Sequence, residues 1–201
     1  IITKGRGESD SPANLNCNYF LGLTAAGILT ADFEDKATGL NHPITGIATL
    51  SNNLWYHIAA TYDGTTWRLY LNGVLDKELL IGSFLPENTS IQHAGLATAM
   101  TSTGVAGGFF AGIIDEARIW NVAHTQLQIQ SSINSELTSG TGLLGRWGLN
   151  DGSGLSAANS IAGSPAGTLT GTPTWVTPRA PFNISFAIPG DPTILIATAI
   201  S

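Results

Sequence analysis

The sequence predicts an all-β fold, a two-sheet antiparallel sandwich carrying one short helix. Three observations point there. Charged residues make up only 11% of the 201 residues and Gly numbers 24, a composition suited to many turns and unsuited to helices with wet, ionic faces. Apolar and polar residues alternate with period two through several short runs. Those runs are separated by Gly, Asn and Asp, which accept positive φ cheaply.

The elements follow in order. Residues 1–7 read as a strand closed by a Gly-rich turn, and "ESDSPANLN" as a polar loop. Asn18–Leu23 and Ile28–Phe33 read as strands joined at Ala26-Gly27. "KATGLNHPITG" reads as a loop, because Pro43 has no N–H for a ladder. Residues 54–81 carry three period-two runs split at Asp63-Gly64 and Asn72-Gly73, which predicts a three-strand meander. "SIQHAGLATAM" and "GGFFAGIIDEARIWN" supply three more strands. The period then changes: Ile129, Ile133 and Leu137 recur every four residues, and Thr125 with Gln128 matches a capping box, predicting a helix over 126–136. "GLLGRWGLND" and "AGTLTGTPTWV" return to strand.

Several function classes are excluded. A net charge of −6 with eight basic residues leaves no cluster to neutralise phosphates, so nucleic acid is not an expected partner. No apolar run reaches the length of a membrane span, so membrane insertion is not expected. Cys17 is the one cysteine and can form no intrachain disulfide. "GTGLLG" at 140–145 matches G-x-G-x-x-G, but a helix precedes it and a strand follows, the reverse of the nucleotide-binding context.

"LWYHIAATYDGTTWRLYLNG", "GFFAGIIDEARIWNVAHTQLQI" and "LLGRWGLNDGSG…GTLTGTPTWV" together resemble the laminin G-like jelly-roll family of the concanavalin A-like lectin/glucanase superfamily. The resemblance implies a concanavalin A-like sandwich over 1–178, lacking a further strand before residue 1. It also implies a module that binds carbohydrate or extracellular protein, in many relatives with calcium. Residues 179–201 read as a linker followed by either the opening of a fibronectin type III module or a C-terminal tail. The expected setting is a larger secreted or cell-surface protein.

Glucanases of this fold need carboxylates converging on one strand face. "ADFED" places Asp32 and Glu34 on one face but the third acid on the other, and "IDEAR" offers adjacent acids that point apart. We therefore expect no catalytic residue. For a sugar, aromatic faces are the natural platforms, and Tyr56, Tyr70 and Trp67 are the candidates, set against a core role for strand-borne aromatics. For calcium, the candidates are Asp115, Asn150 and Asp151. A carboxylate at Asp115 could instead cap backbone N–H groups or pair with Arg118.

Overall fold

The computed structural model describes residues 1–5, 16–101, 103–177 and 179–182. Strands β1 (Ile2–Lys4), β2 (Tyr19–Leu23), β3 (Ile28–Asp32) and β4 (Ile44–Thr49) are followed by β5 (Ile58–Tyr62), β6 (Thr66–Leu71) and β7 (Val74–Leu80). Next come β8 (Ala94–Leu96), β9 (Ala99–Met100), β10 (Ala106–Gly107) and β11 (Ala117–Trp120). Helix α1 (Gln126–Ser132) precedes β12 (Leu143–Trp147), β13 (Ser156–Ala157) and β14 (Gly167–Thr168). Every strand pair whose register is resolved is antiparallel.

The described residues form two compact units. The first draws on Ile1–Asn52, Ala60–Leu69 and Leu75–Gly112, the second on Asn53–Ala59, Tyr70–Val74 and the stretch from Ile113 onward. In the first unit a sheet runs β4-β3-β2-β1-β8, and β9 pairs with β10. Its core gathers Phe33, Tyr62 and Trp67, with ring centroids 4.8–5.6 Å apart in tilted, edge-favouring arrangements. The Trp67 indole donates to the His42 carbonyl at 2.9 Å, and the Tyr62 hydroxyl donates to the Gly82 carbonyl at 2.7 Å, so neither polar tip is left unsatisfied. In the second unit β11 pairs with β12 and β13 with β14. Its core is Ala59, Tyr70, Trp120, Ile129 and Leu143.

The meander β5-β6-β7 forms as expected. Asn72 and Gly73 both take positive φ, 50° and 73°, the signature of a two-residue hairpin matched to strand twist. The Asn72 side-chain oxygen also accepts the His57 N–H at 2.9 Å. The helix carries the expected capping box, with Thr125 and Gln128 bonding reciprocally, but stops at Ser132, before the predicted 136.

Three sequence expectations are corrected. The predicted loop at 36–46 contains the start of β4: Ile44 follows Pro43 directly, and Pro is tolerated because it precedes the ladder. β4 is an edge strand, with Thr45, Ile47 and Thr49 facing solvent, so it lacks the apolar density of an interior strand. "GGFFAGII" is not strand beyond Gly107: Phe109–Asp115 carries no ladder. "AGTLTGTPTWV" pairs only at Gly167–Thr168. The predicted linker and module opening at 179–201 lies, from 183 on, outside the described residues.

Candidate functional site

The acids come first, because they decide whether the protein can do chemistry. Asp32 and Glu34 are spent on the backbone: Asp32 Oδ1 accepts the His42 N–H at 2.9 Å and Glu34 Oε2 accepts the Cys17 N–H at 3.1 Å. Burial pushes the Asp32 carboxyl up to about 6, against which its backbone hydrogen bonds act. Glu34 is fully buried. In the second unit Glu116 stands just before β11 with a left-handed backbone, and its carboxylate meets Arg118. Glu116 accepts from Arg118 at 2.8 Å and from Arg146 across the β11–β12 ladder, and Arg146 also reaches Glu136 at 3.3 Å. Glu116 and Arg118 are 0% and 1% exposed, and Glu116 holds a φ of 52°. Beside them His57 is pushed down to about 3, first by burial and then by the Arg118 charge, and is neutral at physiological pH. Glu116, Arg118 and His57 thus form a packed, buried polar core that reaches solvent at Glu136. In the sequence "IDEAR" offers Asp115 as a partner for Arg118; the structure gives that place to Glu116, two residues before Arg118.

The residues singled out for calcium divide. Asp115 is buried, and its two carboxylate oxygens accept the N–H groups of Glu116 at 3.0 Å and Ala180 at 2.9 Å. Burial pushes its carboxyl up. Asn150 accepts at its backbone carbonyl from Arg179, the residue before Ala180, and its Oδ1 is buried without a hydrogen-bond partner. Asp115 and Asn150 thus flank one dipeptide. Asp151 turns elsewhere: it is exposed and both its oxygens face the Ala158 N–H, at 3.1 and 3.3 Å. Among the described residues no group of three His, Cys, Asp or Glu side chains converges as a metal site.

The aromatic candidates divide as well. Trp67 is 3% exposed in the core of the first unit and Tyr70 is 3% exposed in the core of the second. Neither ring face is open to a ligand. Tyr56 is half-buried in the second unit. Trp67 thus belongs to the first unit, and Tyr56 and Tyr70 to the second.

Among the described residues Phe109 is an aromatic largely open to solvent, 74% exposed. It lines a groove of about 210 Å³ in the first unit, with Phe20, Thr24, Thr98 and Phe110. Glycine shapes this groove. A Cβ on Gly22 would lie 2.6 Å from the Phe20 ring, and one on Gly112 would lie 2.5 Å from the Phe110 ring. Each Phe therefore folds flat over a glycine two residues on, covering backbone that no side chain shields. The wall at Ala97–Thr98 is fixed by a left-handed Ala97 (φ 63°), whose carbonyl accepts the Phe110 N–H at 2.8 Å, and by the Thr98 hydroxyl donating to Gly107 O at 2.8 Å. No lining side chain is ionisable. The sequence signal for Phe109 is its Gly-rich setting, "GGFFAG", which reads as strand.

With this geometry in hand the class of protein is defined. Residues 2–130 match the family described as the concanavalin A-like lectin/glucanases superfamily, in its laminin G type. The chain belongs to that family, and its fold class is the all-β, antiparallel concanavalin A-like sandwich with one short helix. Among solved structures it resembles a candidate carbohydrate binding protein from Bacteroides ovatus, at TM-score 0.60 and 20% identity, over 85% of this chain and 49% of that one. An 84-residue stretch is 32% identical to pappalysin-1 of Mus musculus, covering 40% of this chain and 5% of that protein. An S-layer domain-containing protein of Clostridium thermocellum aligns over 64% of this chain and 63% of its own, at TM-score 0.35 and 23% identity. The chain thus spans about half of the Bacteroides protein and matches a small part of pappalysin-1. No helix among the described residues is long and apolar enough to cross a membrane.

Proposed function

We propose that this chain is a non-catalytic carbohydrate-binding or adhesion module of a larger secreted or cell-surface protein. The observation that carries the reading is the uncharged, aromatic groove of the first unit, set in a family of lectins and glucanases. The acids that a glucanase of this fold would aim at a sugar instead hold backbone N–H groups, as Asp32 and Glu34 do. A general acid needs an accessible carboxyl within reach of the scissile oxygen; Glu34 is fully buried, and Asp32 is half-buried with one oxygen on the His42 N–H. The short match to pappalysin-1 supports a module within a longer chain, and residues 1–178 are the extent we assign to it.

The adhesion half of the reading covers a partner that is protein rather than glycan. Calcium enters only as an addition. Asp115 and Asn150 would help hold it, and the ion would supply a fixed positive charge tying their loops. Those two side chains fall short of the six to eight oxygens calcium takes, so binding is not routed through it.

The test is a glycan array of neutral and anionic plant, algal and animal oligosaccharides probed with the whole chain, run beside a panel of extracellular-matrix proteins. Saturable glycan binding supports the module reading in its first form. Binding to matrix protein alone selects its second form. Silence in both, or release of reducing ends from a polysaccharide, overturns it.

A further inference from the structure

We infer that the groove between Phe20, Phe109 and Phe110 is the glycan site and that it seats one uncharged pyranose ring, stacked on Phe109. This rests on the carbohydrate reading above and goes beyond it by naming the site and the ligand's chemistry.

Four observations point to that occupant. The first is exposure: Phe109 keeps 74% of its surface in solvent, a standing cost for a large apolar ring that a ligand would remove. The second is size. At about 210 Å³ the groove falls below the roughly 300–1,000 Å³ of ordinary small-molecule pockets, so it fits a single ring and not a chain laid lengthwise. The third is charge. The lining carries no ionisable side chain and the chain as a whole bears a net −6. A uronate or sulfate would therefore lose its hydration with no cationic side chain in the lining to receive it, a cost an uncharged ring avoids. The fourth is the polar complement. Thr24 Oγ1 accepts the Ile28 N–H at 3.2 Å and still has its own hydrogen to donate to a sugar hydroxyl. Phe20 and Phe110 lie over Gly22 and Gly112, so the platform stands formed before a ligand arrives, and preformed sites lose less ordering entropy on binding.

A pyranose presents axial C–H groups on one face and hydroxyls around its rim. The C–H face meets the negative face of an aromatic ring and the rim meets water and Thr24. An aliphatic peptide side chain would fill the same space but leave the Thr24 hydroxyl without a partner.

The experiment is ligand-observed saturation-transfer NMR on the full chain. The probes are the methyl glycosides of glucose, galactose and mannose, methyl glucuronide, and N-acetyl-leucine amide as the peptide-like control. At least one neutral glycoside is expected to receive saturation and to lose it with Phe109→Ala, with binding weakened about tenfold or more. Phe109→Trp should keep or strengthen it, and methyl glucuronide should bind more weakly than its neutral counterpart. A thermal melt confirms that each variant folds, which the exposure of Phe109 favours. If a neutral glycoside binds and Phe109→Ala leaves it unchanged, the site assignment is wrong while the carbohydrate reading survives. If the glucuronide binds as tightly as the glucoside, the charge argument fails. If only N-acetyl-leucine amide binds, the groove is a peptide site and this inference is overturned.

Discussion

Arg118 and Arg146 stand directly opposite each other on β11 and β12, and the single carboxylate of Glu116 holds both. Like charges opposed across a ladder repel, and here the repulsion is converted to attraction by one buried anion. Arg118 is further tied to the Ser132 carbonyl at 3.2 Å, at the end of α1. The helix and the β11–β12 pair are thereby joined around one ionic knot.

Replacing Glu116 with Gln should therefore be severe, since it leaves the Arg118 guanidinium buried without its anion and Arg146 with Glu136 alone. Removing one partner of a buried pair costs about 3–5 kcal/mol, to be read from chemical denaturation of the purified chain. Glu116→Gly separates charge from backbone strain. It suits the φ of 52° yet should destabilise comparably, because the charge dominates. A Gly variant as stable as the parent would show that strain, not the ion pair, matters at this position.

Asp76 predicts a second loss. Its Oδ2 and Oδ1 accept the N–H groups of Ile47 and Ala48, each at 3.0 Å, and so cover the edge strand β4 from the side. Gly46 makes room, since a Cβ there would sit 2.0 Å from Asp76 Oδ2. Asp76→Ala should cost about 1–3 kcal/mol for the unpaired amides. Asp76→Asn should cost nearly as much, because it has one acceptor oxygen where two are used. Hydrogen exchange at the Ile47 and Ala48 amides checks both.

The Asp32 carboxyl gives a pH dependence whose sign can be worked out. Burial raises it to about 6 in the folded chain, above an ordinary unfolded value near 4. Folding therefore takes up a proton between those values, and stability from this group falls as pH rises from about 4 to about 6, then levels off. Asp32→Asn keeps an oxygen for the His42 N–H and removes the charge. Its melting temperature should match the parent near pH 4 and exceed it by a few degrees at pH 7.5. Equal melting temperatures at pH 7.5 would contradict the burial argument.

Three acid- or amide-Gly steps should age differently. Asp63 is locked by Thr65, Thr66 and Arg68, and the Arg68 guanidinium holds its carboxyl well below the usual range. Asn72 is buried with its side-chain oxygen on the His57 N–H. Asp151 is exposed and held by one N–H, that of Ala158. Attack of the Gly152 nitrogen on the Asp151 carboxyl carbon, with loss of water, gives a succinimide that water reopens to aspartate or isoaspartate. Peptide mapping after weeks at 37 °C should find isoaspartate at 151 well before 63 or 72.

Much of the frame was legible in the sequence because it rests on local chemistry. Asn72-Gly73 announced its hairpin, and Thr125 with Gln128 announced the helix start. What stayed hidden depends on neighbours. Edge strand β4 is too polar to read as strand, because one of its faces is wet. Trp67 and Tyr70 read as open platforms only if strand alternation means one face in water, yet β6 is buried on nearly every residue. Phe109 reads as part of a strand, and its exposure follows from the chain leaving the ladder after Gly107. Asp115 and Asn150 were named from Asx chemistry alone; their meeting at residues 179–180 depends on the path of the chain.

The most direct measurement of the central claim is equilibrium binding of the neutral oligosaccharide selected by the array, with the sugar recovered afterwards and weighed by mass spectrometry. The account predicts saturation at one site per chain and a ligand returned chemically unchanged after prolonged incubation. Shortened or unsaturated sugar in the recovered material, in amounts that grow with time and protein, would contradict it.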